Sequence, residues 1–421
     1  MTGPALARPL RVLLVADPQS PTTWGWVDAV RSAGVVILGS DGKEWPEYPA
    51  VRGTARSLAA PLRRWFRSFS KATPRRLAAT QELRRLLGPS LAWLKGRRLR
   101  RLVHTTNPDL IHALRIPFEG MVAAAACPPG VPLAVSIWGN DLTLQAPANP
   151  LIARATRRVL ARAELLFADC QRDLDLAKTW GFRSTIPPLV LPGGGGIDMT
   201  KYGESELGRE PSSDGQESDH RIIVNARGLR QYVRNDTLLG ALSILAPEID
   251  PRVRIVFVDA SDDKNLCAEI AQHPLAGKII VTGRRSPAEM ADLFRRAEVS
   301  VSITDHDGTP NSLLEAMAAG AVPVCGDIPA IREWIQHGRN GFLADPGNSS
   351  DAATALRIAM NLSAADRKAI IRENKLTIAA KAERRATGQG AAREYLRLVE
   401  SRIAWPGKAM ASTTSDRVHF S

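Results

Sequence analysis

Short apolar runs alternate with helical segments along most of this chain, and the alternation restarts after a polar interruption. In the first half the runs are Arg11–Ala16, Val35–Leu38, Leu110–Ala113, Leu133–Ile137 and Leu165–Ala168. In the second half they are Arg221–Asn225, Val253–Val258, Lys278–Val281, Val299–Ile303 and Val322–Val324. Strands that alternate with helices form parallel sheets that are covered by helices on both faces. The pattern therefore predicts an α/β protein built from two doubly wound, Rossmann-like domains.

The length supports two domains, because 421 residues exceed what a single hydrophobic core usually holds. Glycines at Gly193–Gly196 and a polar stretch rich in Ser, Glu, Gly and Asp mark the boundary between them. The predicted segments are an N-terminal domain (1–202), a linker (203–220), a C-terminal domain (221–388), a helix that could return to the N-terminal domain (389–405) and a disordered tail (406–421). Two such domains, if they face each other, leave a cleft with one ligand-binding wall on each side.

The net charge of +13 is concentrated in a basic helical insertion over 52–101, where Glu82 is the sole acid. The aromatic residues Trp65, Phe66, Phe69 and Trp93 lie among its arginines and lysines. Basic helices with interleaved aromatic residues suit an anionic membrane surface. A solvated basic face is the plain alternative.

The cysteine pattern points to a reducing compartment. Cys127, Cys170, Cys267 and Cys325 lie far apart and form no Cys-x-x-Cys pair, which argues against a disulfide framework or a structural zinc site. No run approaches the roughly 20 apolar residues of a spanning helix. We therefore expect a cytoplasmic protein that could attach peripherally to the inner face of the cell membrane.

One segment, Ser302–Val324, combines a strand, a loop and a helix in an order that suits anion binding. The strand ends at Ile303, and a helix is predicted to begin near Pro310 with Thr309 as its N-cap. Free backbone N–H groups at such a helix start, aided by the helix dipole, suit a pyrophosphate. The candidate donor-binding residues are Gly308, Thr309, Pro310, Asn311 and Ser312.

Two acids frame this loop and helix. Asp307 precedes the loop and could reach hydroxyls of a donor sugar, while Glu315 lies about one turn inside the helix. A carboxylate at that place could accept hydrogen bonds from ribose hydroxyls, as acids do in other nucleotide-binding folds.

Asp307 and Glu315 resemble the paired acids, eight positions apart, of the family 4 retaining glycosyltransferases, also described as the "glycosyl transferases group 1" family. That family usually has Glu at the first position. The resemblance continues in order through Ile328–Glu333, Gly338–Leu343 and Asp345–Gly347, and covers about residues 100 to 360. It implies the two-domain GT-B fold, a nucleotide-sugar donor bound by the C-terminal domain, and transfer with retention of configuration.

The resemblance also implies a basic pair that neutralises the donor pyrophosphate. Arg227 matches the first member, Arg234 lies within about one residue of the second, and Arg230 is the alternative. An arginine fork binds phosphate bidentately. In this family the leaving phosphate is thought to take the acceptor proton, so the fixed positive charges would replace a metal, and no metal or other cofactor is expected.

The N-terminal domain resembles the family more loosely. Trp138, Gly139 and Asp141 match a loop that often reads His-Gly-x-Asp, with Trp138 in the place of the His that commonly touches the donor sugar. Asn107–His112 resembles the strand that enters the central sheet, which places His112 on the acceptor side. The expected acceptor is a hydroxyl of a glycan or of a lipid-linked saccharide, used in cell-surface polysaccharide or glycolipid synthesis.

Several alternatives remain at this point. Asp305–Asp307 also fits the Asp-x-Asp pattern of metal-binding glycosyltransferases, and His104 or His112 could be a base. Sugar-nucleotide epimerases and phosphorylases share the double-domain fold, although their signatures are not evident. A degenerate family member that only binds a nucleotide or glycan is the main rival. Nucleic acid is not an expected partner, although charge alone would permit it.

Overall fold

The chain folds into two units, each built on a six-stranded parallel sheet. The computed structural model describes residues 8–39, 41–45, 91–92, 94–202, 220–230 and 232–403. Unit 1 comprises Met1–Gly196 and Arg385–Ser421, and unit 2 comprises Ile197–Arg384. The predicted α/β class with two doubly wound domains is confirmed. Most of the basic insertion, the linker apart from His220, and the tail over 406–421 lie outside the described residues.

The sheet of unit 1 has the strand order β2-β1-β3-β4-β5-β6. Its strands are β1 (Arg11–Val15), β2 (Val36–Leu38), β3 (Leu110–Ala113), β4 (Leu133–Ile137), β5 (Leu165–Ala168) and β6 (Leu189–Val190). Every residue of β3, β4 and β5 is buried, because helices cover both faces of the sheet. Sequence patterning missed β6, which has only two residues and lies in a short apolar run between prolines.

Helices connect these strands and supply the rest of the unit 1 core. They are α1 (Pro21–Ser32), α2 (94–106), α3 (Met121–Ala126), α4 (Pro150–Arg162) and α5 (Gln171–Thr179). Helix α2 buries Leu99 and Val103 against the alanine-rich α3 while its arginines face solvent. Two short π-type turns, Ile116–Gly120 after β3 and Asp141–Gln145 after β4, lie beyond the carboxyl ends of their strands.

The sheet of unit 2 has the strand order β12-β11-β10-β7-β8-β9. Its strands are β7 (Arg221–Asn225), β8 (Val253–Phe257), β9 (Ile279–Val281), β10 (Ala297–Ser302), β11 (Val322–Gly326) and β12 (Phe342–Ala344). Its helices are α6 (Asn235–Leu245), α7 (Lys264–Ala271), α8 (Pro287–Arg296), α9 (Asn311–Ala319), α10 (Pro329–Arg332), α11 (Ser349–Met360) and α12 (Ala364–Lys381). Strands β7 and β10 are neighbours, with Val301 opposite Asn225.

The last helix, α13 (Arg384–Ile403), belongs to unit 1 from Arg385 onwards. Its Tyr395 is fully buried beside Trp26 and Phe167. Both unit boundaries fall earlier than predicted. Ile197 already bonds to the backbone of Ala382, and the chain after Gly196 packs into the core of unit 2.

The four cysteines are free thiols, three of them buried and Cys267 partly exposed, as expected for a protein without a disulfide framework. Among the described helices, none has the length and apolar character needed to span a bilayer.

Candidate functional site

The motif residues of unit 2 meet beyond the carboxyl ends of β7 and β10, which are adjacent strands. The segments that leave these strands run side by side: the Arg234 N–H donates to the Ile303 carbonyl at 2.9 Å, and the Asp305 N–H donates to the Tyr232 carbonyl at 3.1 Å. This edge is where doubly wound sheets bind ligands.

Arg227 lies at the centre of this edge and is buried together with Asp307. Its guanidinium forms an ion pair with the Asp307 carboxylate, and its Nη1 lies 3.3 Å from Ser312 Oγ at the start of α9. The Arg227 N–H donates to Asn225 Oδ1 at 3.3 Å, and Asn225 in turn donates to Asn235 at 2.9 Å. The network aims Arg227 at the N-terminus of α9.

One donor of this arginine is unused. Arg227 Nε is buried and has no hydrogen-bond acceptor within the described part of the chain. A buried N–H without an acceptor is destabilising. An anionic oxygen bound at this edge would supply the acceptor, and with it a charge-assisted hydrogen bond.

Helix α9 begins one residue later than predicted. Pro310 is the N-cap, with an extended ψ of 126°, and no side chain caps the first turn. The Thr309 hydroxyl, predicted to be the cap, instead accepts a hydrogen bond from Trp334 Nε1 at 2.9 Å. The Gly308 N–H donates to Asp307 Oδ1 at 3.0 Å. Trp334 and Asp307 thus fix the loop. Because no side chain caps the first turn at Asn311, the positive end of the helix dipole remains available to an anion.

The two other candidate arginines lie at the same edge but are less buried than Arg227. Arg234 binds Asp236 at 2.8 Å and lies 4.0 Å from Asp305. Arg230 is exposed and donates to the Arg227 carbonyl. The carboxylates of Asp305 and Asp307 therefore face different arginines, which disfavours the Asp-x-Asp metal alternative.

Glu315 lies in the second turn of α9 and is partly buried. Burial raises its pKa to about 7, although Arg384, Lys201 and a hydrogen bond with the Tyr202 hydroxyl favour the charged form. A carboxyl group with this pKa changes its charge close to neutral pH.

In unit 1, Asp141 organises the edge of the sheet beyond β3 and β4. It is fully buried and accepts from Arg115 Nη2 at 2.9 Å, from the Ile116 N–H at 3.2 Å and from the Trp138 N–H at 3.3 Å. Burial raises its pKa, while Arg115 opposes the rise. Asp141 thus joins two loops and has no exposed oxygen to offer an acceptor, so its role is to position them.

Trp138 lies above Asp141 and is partly exposed. The Arg115 guanidinium lies 5.4 Å from the centre of the indole, in cation–π geometry. A Cβ on Gly193 would lie 3.2 Å from two atoms of the indole, so this position has little room for a side chain. The Gly139 carbonyl accepts from Arg172 at 3.0 Å. Trp138 and Gly139 therefore lie at this edge as predicted by the resemblance.

His112 does not belong to this edge, which corrects its assignment to the acceptor side. It is fully buried, with Nε2 at 2.9 Å from Ser136 Oγ and Nδ1 at 2.6 Å from the Tyr395 hydroxyl. Trp26 and Phe167 pack around the same ring. Burial lowers its pKa to about 3. Both ring nitrogens are engaged in the core, so His112 is neither a base nor an acceptor contact.

An acidic cluster that the sequence analysis missed follows β5. Ligand atoms of Asp169, Cys170 and Asp173 lie within 4.8 Å of one another and are buried. Arg172 already binds Asp173 at 2.8 Å. Burial and both carboxylates raise the pKa of Cys170, which keeps the thiol protonated. A protonated thiol and an arginine counter-ion disfavour a metal ion here.

Sequence comparison identifies the family. The profile described as "Glycosyl transferases group 1" matches residues 209–377, and the profile "Glycosyl transferase 4-like domain" matches residues 5–194. The chain belongs to the group 1 glycosyltransferase family. The two matches follow one another along the chain and correspond to its two units.

The curated relatives are glycosyltransferases whose names refer to different products or acceptors. TuaC of Bacillus subtilis, assigned to teichuronic acid biosynthesis, is 24% identical over 290 residues, 68% of this chain and 66% of TuaC. The D-inositol 3-phosphate glycosyltransferase of Rhodococcus jostii is 20% identical over 209 residues, 48% of this chain and 46% of that enzyme. The aligned segments therefore span less than two thirds of either relative.

Solved structures share the fold of the whole chain. Anabaena Alr3699/HepE in complex with UDP superposes with a TM-score of 0.66 at 15% identity, covering 92% of this chain and 100% of that protein. The sucrose-phosphate synthase of Thermosynechococcus elongatus superposes with a TM-score of 0.69 at 13% identity, covering 94% of this chain and 100% of that protein. The protein has the two-domain GT-B fold.

The structure thus brings together Arg227, Asp307 and Ser312, with Gly308 and Asn311 in the adjoining loop and helix start. Residues without a family motif were missed, above all Arg115 and Tyr202. Arg115 lies two residues after the predicted strand Leu110–Ala113, and that position could have drawn attention to it. Tyr202 is buried in the core of unit 2 and has no sequence signal, because its packing joins distant segments.

Proposed function

We propose that this protein is an active glycosyltransferase that moves a sugar from a nucleotide-sugar donor to a hydroxyl acceptor with retention of configuration. The observation that carries the proposal is the buried Arg227, whose Nε donor has no acceptor while its neighbours aim it at the start of α9. A donor diphosphate placed there would satisfy this N–H and meet the positive end of the helix dipole.

The chemistry follows from this placement. The bond between the anomeric carbon and the donor phosphate breaks, and negative charge develops on the departing nucleoside diphosphate. Arg227, the N-terminus of α9 and the nearby Arg234 would stabilise that charge. The departing phosphate would accept the proton of the attacking hydroxyl on the same face, which gives retention. These fixed positive charges would perform the role of a metal ion, so the proposed reaction needs no metal.

Asp307 and Glu315 would hold the donor. Asp307 Oδ1 already accepts from the Gly308 N–H, which orients the carboxylate at the edge where the donor sugar would lie. Glu315 would accept a hydrogen bond from the ribose. Since burial raises its pKa to about 7, donor binding should weaken as the pH falls below neutrality.

We propose an acceptor hydroxyl on a glycan or a lipid-linked saccharide. This part of the proposal is supported by the names of two relatives. TuaC is assigned to teichuronic acid biosynthesis. The phosphatidyl-myo-inositol mannosyltransferase of Mycolicibacterium smegmatis is named for a lipid acceptor. The latter is 25% identical over 295 residues, 60% of this chain and 72% of that enzyme.

Peripheral attachment to an anionic membrane is part of this proposal. The described end of the basic region, α2, exposes Arg97, Arg98 and Arg101 together with Leu94, which is 56% exposed. Flotation with phosphatidylglycerol vesicles at low salt tests the idea, with phosphatidylcholine vesicles as the control. Recovery of the protein in the unbound fraction from both would refute membrane attachment.

A thermal-shift screen of UDP-, GDP- and ADP-sugars, with and without EDTA, tests the donor site. We expect one donor to raise the melting temperature, and the rise to persist in EDTA and to vanish in Arg227→Ala. Arg357→Ala is the matched control, because Arg357 forms an exposed ion pair with Glu248. A rise that EDTA abolishes would overturn metal independence.

A turnover assay with the donor found in the screen addresses the rival function. A degenerate family member would bind a nucleotide or a glycan without turning over any donor. Binding of a nucleotide sugar without release of its nucleoside diphosphate, over a panel of glycan and lipid-linked acceptors, would favour that alternative.

A further inference from the structure

Three helices of unit 1 form a continuous surface on one face of its sheet. Helices α2, α3 and α4 share one hydrophobic core on that face, whereas α1 and α13 share the core on the other. A Cβ on Gly96 of α2 would lie 2.7 Å from Ala125 Cβ of α3. A Cβ on Gly120, directly before α3, would lie 3.1 Å from Val159 Cγ1 of α4. These close approaches place the small helix α3 between α2 and α4.

The surface is basic along α2 and α4. Helix α2 has five basic residues and α4 has four, and neither helix contains an acid. The exposed arginines that have no hydrogen-bond or ion-pair partner among the residues described by the structure include Arg98, Arg101, Arg154 and Arg158. Helix α5, the next helix of this layer, has two acids and two bases, so the basic surface ends at α4.

Exposed leucines lie at one end of the same surface. Leu94 near the start of α2 is 56% exposed, Leu151 in the first turn of α4 is 52% exposed, and Leu144 in the turn before α4 is 39% exposed. Helices α2 and α4 lead into β3 and β5, and helices that connect parallel strands run antiparallel to them. Their first turns therefore lie toward the carboxyl ends of the strands, the edge at which Trp138 and Arg115 lie.

The combination of bases and leucines indicates the kind of partner. Arginines without counter-ions attract any polyanion, including a nucleic acid. Exposed leucines gain nothing from a polyanion, but they gain free energy when they enter the boundary between lipid headgroups and acyl chains. A basic surface with apolar side chains at one end therefore fits an anionic bilayer better than it fits a nucleic acid.

We propose that α2 and α4 together form the membrane-binding face of unit 1. Their arginines meet lipid phosphates, and Leu94, Leu144 and Leu151 enter the interface of an anionic bilayer. The inference rests on the membrane attachment in the proposed function. It adds α4 and an orientation, in which the carboxyl-end edge of the unit 1 sheet lies at the bilayer surface. A lipid-linked acceptor then reaches this edge while its lipid stays in the bilayer.

The experiment is flotation of the full chain with vesicles of phosphatidylcholine and phosphatidylglycerol in equal parts. Arg154→Gln/Arg158→Gln removes two exposed charges from α4. We expect the ratio of vesicle-bound to free protein to fall about 10–30-fold, because each basic residue at an anionic surface contributes a factor of about five. The matched control is Arg385→Gln/Arg393→Gln, which removes two exposed charges from α13 on the other face of the sheet. It should bind within about twofold of wild type.

The substitution Leu151→Ser tests the apolar part of the face. We expect vesicle binding to fall about threefold relative to wild type at low and at high salt alike, because salt screens charges and does not weaken apolar burial. Leu396→Ser on α13 is the control, since Leu396 is 37% exposed on the other face, and it should bind as wild type does. Loss of binding in the arginine variant without any loss in Leu151→Ser would overturn the proposal in favour of a polyanion-binding surface.

The outcomes separate this inference from the proposed function. Equal vesicle binding by wild type and by both α4 variants would remove α4 from the face and leave attachment through α2. If wild type bound no vesicles, the membrane attachment and this inference would both be refuted. Neither result bears on the donor site, because the thermal-shift screen measures nucleotide-sugar binding without vesicles. All four variants should keep the melting temperature of wild type, since each substituted side chain is exposed.

Discussion

The two units present the same structural edge, the carboxyl ends of a parallel sheet, but they use their polar residues differently. In unit 2, Arg227 keeps a buried N–H without an acceptor beside an uncapped helix start. In unit 1, Asp141 and His112 are wholly buried and bonded to other parts of the fold. A chemically suggestive residue is a binding candidate only when some of its hydrogen-bonding capacity remains unused.

The same contrast governs the pKa values of Glu315 and His112. Burial disfavours charge, so it raises the pKa of the acid Glu315 to about 7 and lowers the pKa of the base His112 to about 3. Glu315 therefore changes charge at neutral pH, whereas His112 stays neutral throughout the physiological range. Under the proposed function the shift of Glu315 would serve ligand binding, whereas the shift of His112 follows from enclosing an imidazole in an aromatic core.

The substitution Asp141→Ala tests the contrast between the two units most strongly. It removes the acceptor of Arg115 and of two backbone N–H groups in a buried setting, so we expect unit 1 to lose about 3–5 kcal/mol of unfolding free energy. Urea unfolding measures this, and nucleotide affinity should be unchanged. Asp175→Ala is the control, because Asp175 forms an exposed pair with Lys178. A loss no larger than the control's would show that Asp141 does not hold the two loops together.

Arg227→Ala should produce the largest catalytic effect. Loss of the charge beside the departing phosphate is expected to lower kcat about 10²–10³-fold, comparable to the removal of one preorganised charge-stabilising donor. Arg227→Lys keeps the charge but loses the planar, bidentate guanidinium, so its kcat should lie between those of wild type and Arg227→Ala. Turnover of the donor found in the screen measures the effect, with Arg357→Ala as reference. Activity within threefold of wild type would remove Arg227 from the site.

His112 predicts acid sensitivity of unit 1. The unfolded imidazole takes up a proton below its ordinary pKa of 6.5, whereas the folded one does so only near 3. Stability is therefore complete above pH 6.5 and declines as the pH falls toward 3, by about 2 kcal/mol at pH 5. Unfolding of His112→Phe at pH 7 and 5 should show a smaller decline, whereas the exposed His104→Gln should match wild type. An equal decline in unfolding free energy between pH 7 and pH 5 in His112→Phe and His104→Gln would contradict the burial argument.

Glu315→Gln should have the smallest effect, and it should be stabilising. The folded pKa of about 7 exceeds the ordinary value of 4.5, so the carboxylate costs stability as the pH rises above 4.5, and this cost is complete above pH 7. Because Glu315 is partly exposed, we expect the ligand-free variant to gain only about 1–2 kcal/mol at pH 8 and nothing below pH 4.5. Thermal unfolding at both pH values measures this. A variant less stable than wild type at pH 8 would show that the carboxylate is needed by the fold.

Much of the fold could be predicted because strand runs such as Leu133–Ile137 are local, mostly apolar and completely buried. The two-residue strand β6 carries too little pattern to be recognised, and β12 was missed although β2 and β9, also of three residues, were predicted. The start of α9 was misplaced by one residue because the Thr309 hydroxyl accepts from Trp334, a partner that no local rule could foresee. Asp307, Glu315 and Arg227 were found because each lies in or near a local motif.

The sequence by itself determined the order of strands and helices, the division into two α/β domains, and the motif residues that follow β7 and β10. Periodicity and motifs are local, and the chain carries them before it folds. Only the tertiary structure decided which polar groups are satisfied. His112 is hydrogen-bonded to Tyr395 of the last helix, and the Thr309 hydroxyl accepts from Trp334. Burial and hydrogen-bond partners depend on which segments, far apart in the sequence, meet in the fold. Local sequence patterns do not encode those contacts.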